Sequence, residues 1–404
     1  MGPFAITPAQ ERLRDVAREF AGRVVAPAAA DLDRRADPRE CFSPAIVEEA
    51  SKAGLRTLTL PPELGGQGAD SLTAAIVIEE LAKADLGVSV IFAQVLKIAQ
   101  TLHKACTAAQ RQRFLHPFRD DPNFLLAIAI TEPETSSDYI IPVRAPGARF
   151  RTVAVRRDRG WVVTGKKHFI SNGSRAGLYL VFAQTEPGKG LVEGATCFLL
   201  TRDMPGFTIG AVHDKMGERL VNNAELIFRD CFVPDDHVLG RVGGGFDVLV
   251  EFFPASNAYA AASVLGVAEA AYDRTLEWTG TRVQGGRPLL DHDLVAADVA
   301  EMRMLLDAAR AYTYQAAWAA DHRDHGWDPT LGAFPKVFAS QVAWRVVTTA
   351  LELHGGYGYM RERGLEKLLR DAAAFFHSDG ANRSLLLKGA GFIRQAQGRS
   401  RPAG

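Results

Sequence analysis

Hydrophobic positions change their spacing twice along this chain. In the first 122 residues they recur at helical intervals, with Leu13, Val16, Ala17 and Phe20 on one face and Ala74 to Ala84 forming a second such stretch. A Pro- and Gly-rich run, Leu60-Pro61-Pro62-Glu63-Leu64-Gly65-Gly66-Gln67-Gly68, predicts a loop between them. From about 123 to 236 the period falls to two. Thr152 to Val155 and Trp161 to Thr164 flank Asp158-Arg159-Gly160, which predicts a hairpin, and 178–182, 195–200 and 224–228 predict further strands. Beyond Gly243-Gly244-Gly245 the helical period returns, through Ala260 to Ala271, Met302 to Trp318 and Val337 to Leu353. The expected domains are therefore 1–122 helical, 123–236 all-β and 237–404 helical. Strands and helices do not alternate, and no GxGxxG follows a predicted strand, so a Rossmann nicotinamide site is not expected.

Composition narrows the function classes. Lys+Arg and Asp+Glu both number 47, leaving no net field to hold nucleic acid or an anionic membrane. The start, Met1-Gly2-Pro3-Phe4, lacks the apolar core of a signal peptide, and no apolar run is read as reaching the ~18 residues that span a bilayer. Cys41, Cys106, Cys197 and Cys231 are scattered without a CxxC pair, which argues against zinc or a disulfide framework. His322 and His325 read as polar loop residues, and no metal is expected. The expectation is a soluble, cytoplasmic protein.

Six segments carry a specific resemblance. They are Leu60 to Asp70 with Ile78-Glu79-Glu80-Leu81; Ile130-Thr131-Glu132-Pro133-Glu134-Thr135-Ser136-Ser137-Asp138; and Gly165-Lys166-Lys167-His168-Phe169-Ile170-Ser171-Asn172. Lys215-Met216-Gly217-Glu218-Arg219, Arg282-Val283-Gln284-Gly285-Gly286-Arg287-Pro288-Leu289, and Leu353-His354-Gly355-Gly356-Tyr357-Gly358 followed by Arg370-Asp371 and Asp379-Gly380 complete the set. In this order and spacing they resemble the acyl-CoA dehydrogenases, FAD enzymes that form a double bond beside a thioester. The resemblance implies an α+β fold, with an N-terminal helical domain, a middle β-barrel domain and a C-terminal four-helix bundle, assembled as a homotetramer or at least a homodimer.

The resemblance also implies roles. Thr131 and Ser171 match positions that hydrogen-bond the isoalloxazine, and Phe169 matches the aromatic lying against it. Arg282 matches the arginine that reaches the FAD pyrophosphate of a neighbouring subunit, with Gln284, Glu352, Gly355 and Gly356 completing that end and Ser137 shared between cofactor and substrate. Arg219, Ser256, Asn257 and Gly380 fall at substrate positions. Asp379 stands where the family places a glutamate base, so the carboxylate is shorter by one methylene. Relatives that take the base from another helix place it just before an arginine; those two positions are here Ser256 and Asn257, and neither is a carboxylate. Pro254 and Asn257 stand where CoA-using members often have an aspartate and an arginine, Gly285 replaces a phenylalanine, and Ala381 a threonine.

Several readings follow from these departures. One is a dehydrogenase acting on an acyl-CoA or an acyl group on a carrier protein, passing electrons to an electron-transfer flavoprotein. Another is a flavin oxidase or monooxygenase using oxygen, as in the nitroalkane oxidases, whose Asp-Gly-Gly-Asn is close to Asp379-Gly380-Ala381-Asn382; their later arginine is here Leu386, with Arg383 nearer the base. A third is a non-catalytic flavoprotein subunit. Asp379 as a plain turn residue before Gly380 is the structural alternative for the base.

Overall fold

The computed structural model describes residues 6–140, 148–325 and 327–398, so the reading of Met1 to Phe4 lies outside the described residues. The N-terminal region contains α1 (Pro8–Phe20), α2 (Ala26–Asp33), α3 (Pro44–Lys52), α4 (Ser71–Ala84), α5 (Leu86–Ala105), α6 (Ala108–Gln110) and α7 (His116–Asp120). Short polar side chains start these helices by accepting orphan N–H groups. Thr7 forms a capping box with Gln10, Asp70 caps α4 and Asp85 caps α5. Helices α4 and α5 are buried on nearly every side, which explains their apolar composition. This corrects one expectation: α5, at 20 residues and a mean hydropathy of 1.3, is long and apolar enough to cross a membrane. In the fold 89% of that stretch is buried inside the protein, so it is a core helix.

The middle region forms one eight-stranded sheet: β1 (Leu125–Ala129), β2 (Val153–Arg157), β3 (Gly160–Ser171), β4 (Ala176–Gln184), β5 (Ala195–Thr201), β6 (Phe207–Val212), β7 (Asn223–Pro234) and β8 (Val238–Leu239). The order is β6-β7-β3-β2-β4-β5-β8, with β1 parallel to β4. The predicted hairpin is present, with Arg157 facing Gly160 and Arg159 at a positive φ of 59° in the turn. The pairing of β3 with β7 shifts register between Lys167 and Ile170, and that irregularity turns Phe169 out of the sheet.

The C-terminal region is led by α8 (Gly245–Thr281), a 37-residue helix that continues through Pro254. A two-stranded hairpin of β9 (Val283–Gln284) and β10 (Arg287–Pro288) follows. Then come α9 (Asp293–Asp321), α10 (Phe334–His354), α11 (Gly356–Tyr359), α12 (Leu365–Ala374) and α13 (Asn382–Ala396). Helix α8 packs against α4, α5, α9 and α10, so it ties the two helical regions together. Gly266 permits this: a Cβ there would lie 2.3 Å from the Glu79 carbonyl oxygen and 2.6 Å from the Ala82 Cβ.

Candidate active site

All three regions meet around a cavity of about 550 Å³. Its walls include Val90 and Gln94 from α5, Thr131, Ser137 and Tyr139 from the segments after β1, and Phe169 and Ser171 from β3. Phe252, Ser256 and Asn257 of α8 and Asp379 and Gly380 after α12 close it.

Local chemistry assembles the first wall. Lys167 is fully buried and donates to the Ile130 carbonyl at 2.9 Å and to Glu132 at 2.8 Å, while the His168 N–H donates to the Thr131 carbonyl at 2.8 Å. Burial pulls the Lys167 ammonium down to about 8 against the opposing pull of Glu132. The two motif segments are thereby pinned to each other. Phe169, at φ 56° and 58% exposed, is bare on the cavity side. A non-glycine residue in that conformation costs about 1–3 kcal/mol, so the surroundings must hold it. Asn223 contributes by donating to the Phe169 carbonyl at 3.1 Å and to the Ser171 hydroxyl at 3.3 Å, and it accepts from Lys215 at 2.7 Å.

The Arg370-Asp371 pair fixes the second wall. Asp371, fully buried, accepts the Glu218 backbone N–H at 2.8 Å and a Lys367 proton at 2.6 Å, and Lys367 also reaches Asp85 at 2.7 Å. Arg370 donates to the Met216 carbonyl and pairs with Asp33 of α2 at 2.6 Å. Gly217 lets this contact close, since a Cβ there would sit 2.5 Å from the Arg370 carbonyl. Glu218 is thus presented to the cavity at φ 50°. Burial raises its carboxyl to about 7, Lys215 opposes the shift, and Asp371, Asp379 and Asp85 add to it. Lys215 is lowered by burial to about 8.

The third wall holds Asp379. The chain after α12 does not continue as a helix; it turns, with Asp379 at φ 51° and Gly380 at φ 100°. Asp379 Oδ1 accepts from Lys97 Nζ at 3.0 Å, and Lys97 also donates to Ser256 Oγ at 3.1 Å. Lys336, fully buried on α10, donates to the Gly380 carbonyl at 2.8 Å and to Asn382 Oδ1 at 3.0 Å. Burial lowers Lys336 to about 7, opposed by Asp379 and Glu218. His377, beside the base, is lowered by burial and by Lys336.

Of the residues singled out in the sequence, Thr131, Ser137, Phe169, Ser171, Ser256, Asn257, Asp379 and Gly380 share this cavity. Arg219 does not. Its guanidinium donates to the Asp33 and Arg35 carbonyls and pairs with Asp214, stitching the middle region to the N-terminal one. Ser256 and Asn257 are engaged as well, Ser256 by Lys97 and Asn257 by donating to the Gly332 carbonyl at 2.5 Å. Arg282, Gln284, Glu352, Gly355 and Gly356 lie outside the cavity, on a separate face. There Arg282 lies over Trp278 and Tyr357, 5.6 and 5.4 Å from the ring centroids. Gly355 is at φ 56°, and neither it nor Gly356 has an atom within 4 Å of a would-be Cβ.

Sequence reading missed Lys97, Lys336, Asn223 and the cavity-facing carboxyl of Glu218. Only Lys97 left a signal: one positive charge inside the apolar run Val90 to Ile98.

The donor set suits a flavin: hydroxyls at Thr131 and Ser171, an exposed aromatic face at Phe169, and a carboxylate opening into the same space. Comparison with known proteins agrees. Residues 7–120, 127–231 and 243–390 match the N-terminal, middle and C-terminal domain models of acyl-CoA dehydrogenase. The chain is 34% identical over 370 residues to acryloyl-CoA reductase (NADH) of Anaerotignum propionicum, covering 91% of this chain and 90% of the relative. It is 33% identical over 398 residues to the short-chain-specific acyl-CoA dehydrogenase of Megasphaera elsdenii, covering 97% and 100%. The solved structure of butyryl-CoA dehydrogenase from Megasphaera elsdenii superposes with a TM-score of 0.88 at 32% identity, over 96% of this chain and 99% of that one.

Proposed function

The chain belongs to the acyl-CoA dehydrogenase family, as an FAD oxidoreductase of that type, and on that footing we propose that Asp379 is the base that deprotonates an acyl thioester. The observation that carries this reading is the shared cavity, in which Asp379 opens beside Thr131, Phe169 and Ser171. Bound FAD, held by Thr131, Ser171 and Phe169, supplies the acceptor for a hydride from the β-carbon. Asp379 takes the α-proton onto its carboxylate. Its Oδ2 makes no hydrogen bond to the described residues, so one oxygen remains for that task. Phe252, Phe253 and Tyr139 give the acyl space an apolar part of its lining. A residue one methylene shorter than glutamate suits an acyl group whose α-carbon is brought closer, as a branched or cyclic one would be.

We further propose that the functional unit is a homotetramer, or at least a homodimer, in which Arg282 meets the pyrophosphate of a neighbour's FAD. The Arg282–Trp278–Tyr357 face, half-buried at Arg282 and Trp278 and exposed at Tyr357, with its open Gly355-Gly356 turn supports this. The acceptor is read as an electron-transfer flavoprotein, and the carrier as CoA.

The test is anaerobic bleaching of the bound flavin by a panel of linear, branched and cyclic acyl-CoAs. Asp379→Asn should keep FAD and lose flavin reduction by at least ~10²-fold. Unchanged reduction in that variant would move the proton elsewhere and leave Asp379 as a turn residue. Rapid peroxide formation in air would replace the dehydrogenase reading with an oxidase.

A further inference from the structure

Lys97 has no part in the chemistry set out so far, yet it touches the base. Its side chain is 1% exposed, its Nζ lies 3.0 Å from Asp379 Oδ1 and 3.1 Å from Ser256 Oγ, and it sits 5.0 Å from the Phe252 ring centroid. A buried ammonium costs several kcal/mol unless it is paired and hydrogen-bonded. The simplest fold would therefore place an apolar residue at this position in α5, as it does at Leu96 and Ile98.

The backbone adds a second constraint. Asp379 and Gly380 both hold positive φ, and Lys336 binds the Gly380 carbonyl from the opposite helix, α10. The side chain of the base and the main chain just after it are thus held by two buried lysines from two helices.

We propose that Lys97 is a positioning residue for the reaction. It binds Oδ1 of Asp379 so that Oδ2 is the oxygen presented to the substrate, and its positive charge accompanies the carboxylate through the proton transfer. Lys97 acts here as a hydrogen-bond donor only, and the α-proton goes to Asp379. The inference rests on Asp379 being the base. Other ionisable groups around the carboxylate are Lys336 from α10, Glu218 and Lys215 from the segment before β7, Tyr139 after β1, Lys388 from α13, and His377 beside it. Arg370 also reaches this cavity, but it is paired with Asp33 and Glu366.

The experiment is the pH dependence of anaerobic flavin reduction in the FAD-loaded enzyme, driven by whichever acyl-CoA bleaches wild type fastest. In Lys97→Gln the acid limb should move to higher pH, because a cation in contact with the carboxylate has been removed. The plateau rate should fall as well. Lys97→Arg, which keeps a cation, should return the limb toward wild type. An unmoved limb in Lys97→Gln, even with reduced FAD content or melting temperature, makes Lys97 merely structural and overturns the proposal.

Should Lys97→Gln not fold, the double variant Lys97→Gln/Asp379→Asn decides. Folding of the double variant alone shows that the two charges act as a pair. Failure of both shows that Lys97 serves the fold beyond Asp379 and also overturns the proposal. Asp379→Asn separates the two readings. If it still reduces its flavin, the base assignment fails and takes this inference with it; if it is dead while the acid limb of Lys97→Gln stays fixed, only the inference fails.

Discussion

Lys336 shows how one side chain can make stability depend on pH. Burial lowers it from 10.5 to about 7, although it keeps two hydrogen bonds to the segment after the base. The unfolded chain holds this proton up to about pH 10.5, whereas the folded chain releases it near 7. Between those values the unfolded state binds more protons, so the contribution to stability rises with pH, by up to about 1 kcal/mol per unit. Below pH 7 both states are protonated and the contribution is flat. Urea unfolding of wild type and Lys336→Met from pH 6 to 10 checks this: the wild type should gain on the variant only above about pH 7. A constant difference would mean that Lys336 is neutral or charged in both states throughout. At this scale the sequence singled out Asp379, Thr131, Phe169 and Ser171, because each sits in a short local pattern, and they line one cavity. It could not disclose Lys97 or Lys336, because their meaning lies in contacts 282 and 44 residues away. The partners of Arg219 were hidden for the same reason, its pattern being local and two of those partners lying in the N-terminal region.

Among the elements, the contact of α8 with α4 sets the tightest tolerance. Gly266→Ala would drive a methyl group to 2.3 Å from the Glu79 carbonyl oxygen, and backbone has little room to yield. Overpacking of this kind costs about 1–3 kcal/mol. The variant should therefore show a lower melting temperature, with flavin reduction by surviving holoenzyme near normal. Unchanged melting would mean that the helices can part at no cost. Helix α4 and the tight hairpin were legible, because their cause is local: Ala74 to Ala84 repeats apolar residues at helical spacing, and Arg159-Gly160 closes a turn. The full length of α8 was not. Pro254 usually ends a helix, and here tertiary packing carries the helix past it. The burial of α5 was equally hidden, since an apolar helix reads alike whether protein or lipid surrounds it.

At the scale of the whole molecule, Arg282 lies outside the cavity lining, and the role proposed for it requires a second copy of the chain. Under that proposal Arg282→Ala should lower FAD content and weaken assembly together, read by absorbance and sedimentation. A monomeric wild type that holds FAD normally would contradict it. The sequence order of three regions was legible because the hydrophobic period changes between them; the convergence of all three on one space was not, since period says nothing about docking. The long reach from Lys97 to Asp379 has a consequence in time. Protein synthesis runs from the N-terminus at about 5–20 residues per second, so a gap of 282 residues is a delay of about 15–60 s. During that interval the nascent N-terminal helices carry a lysine whose counter-ion has not yet been made. The contact that pairs Lys97 therefore forms only after nearly the whole chain has been made.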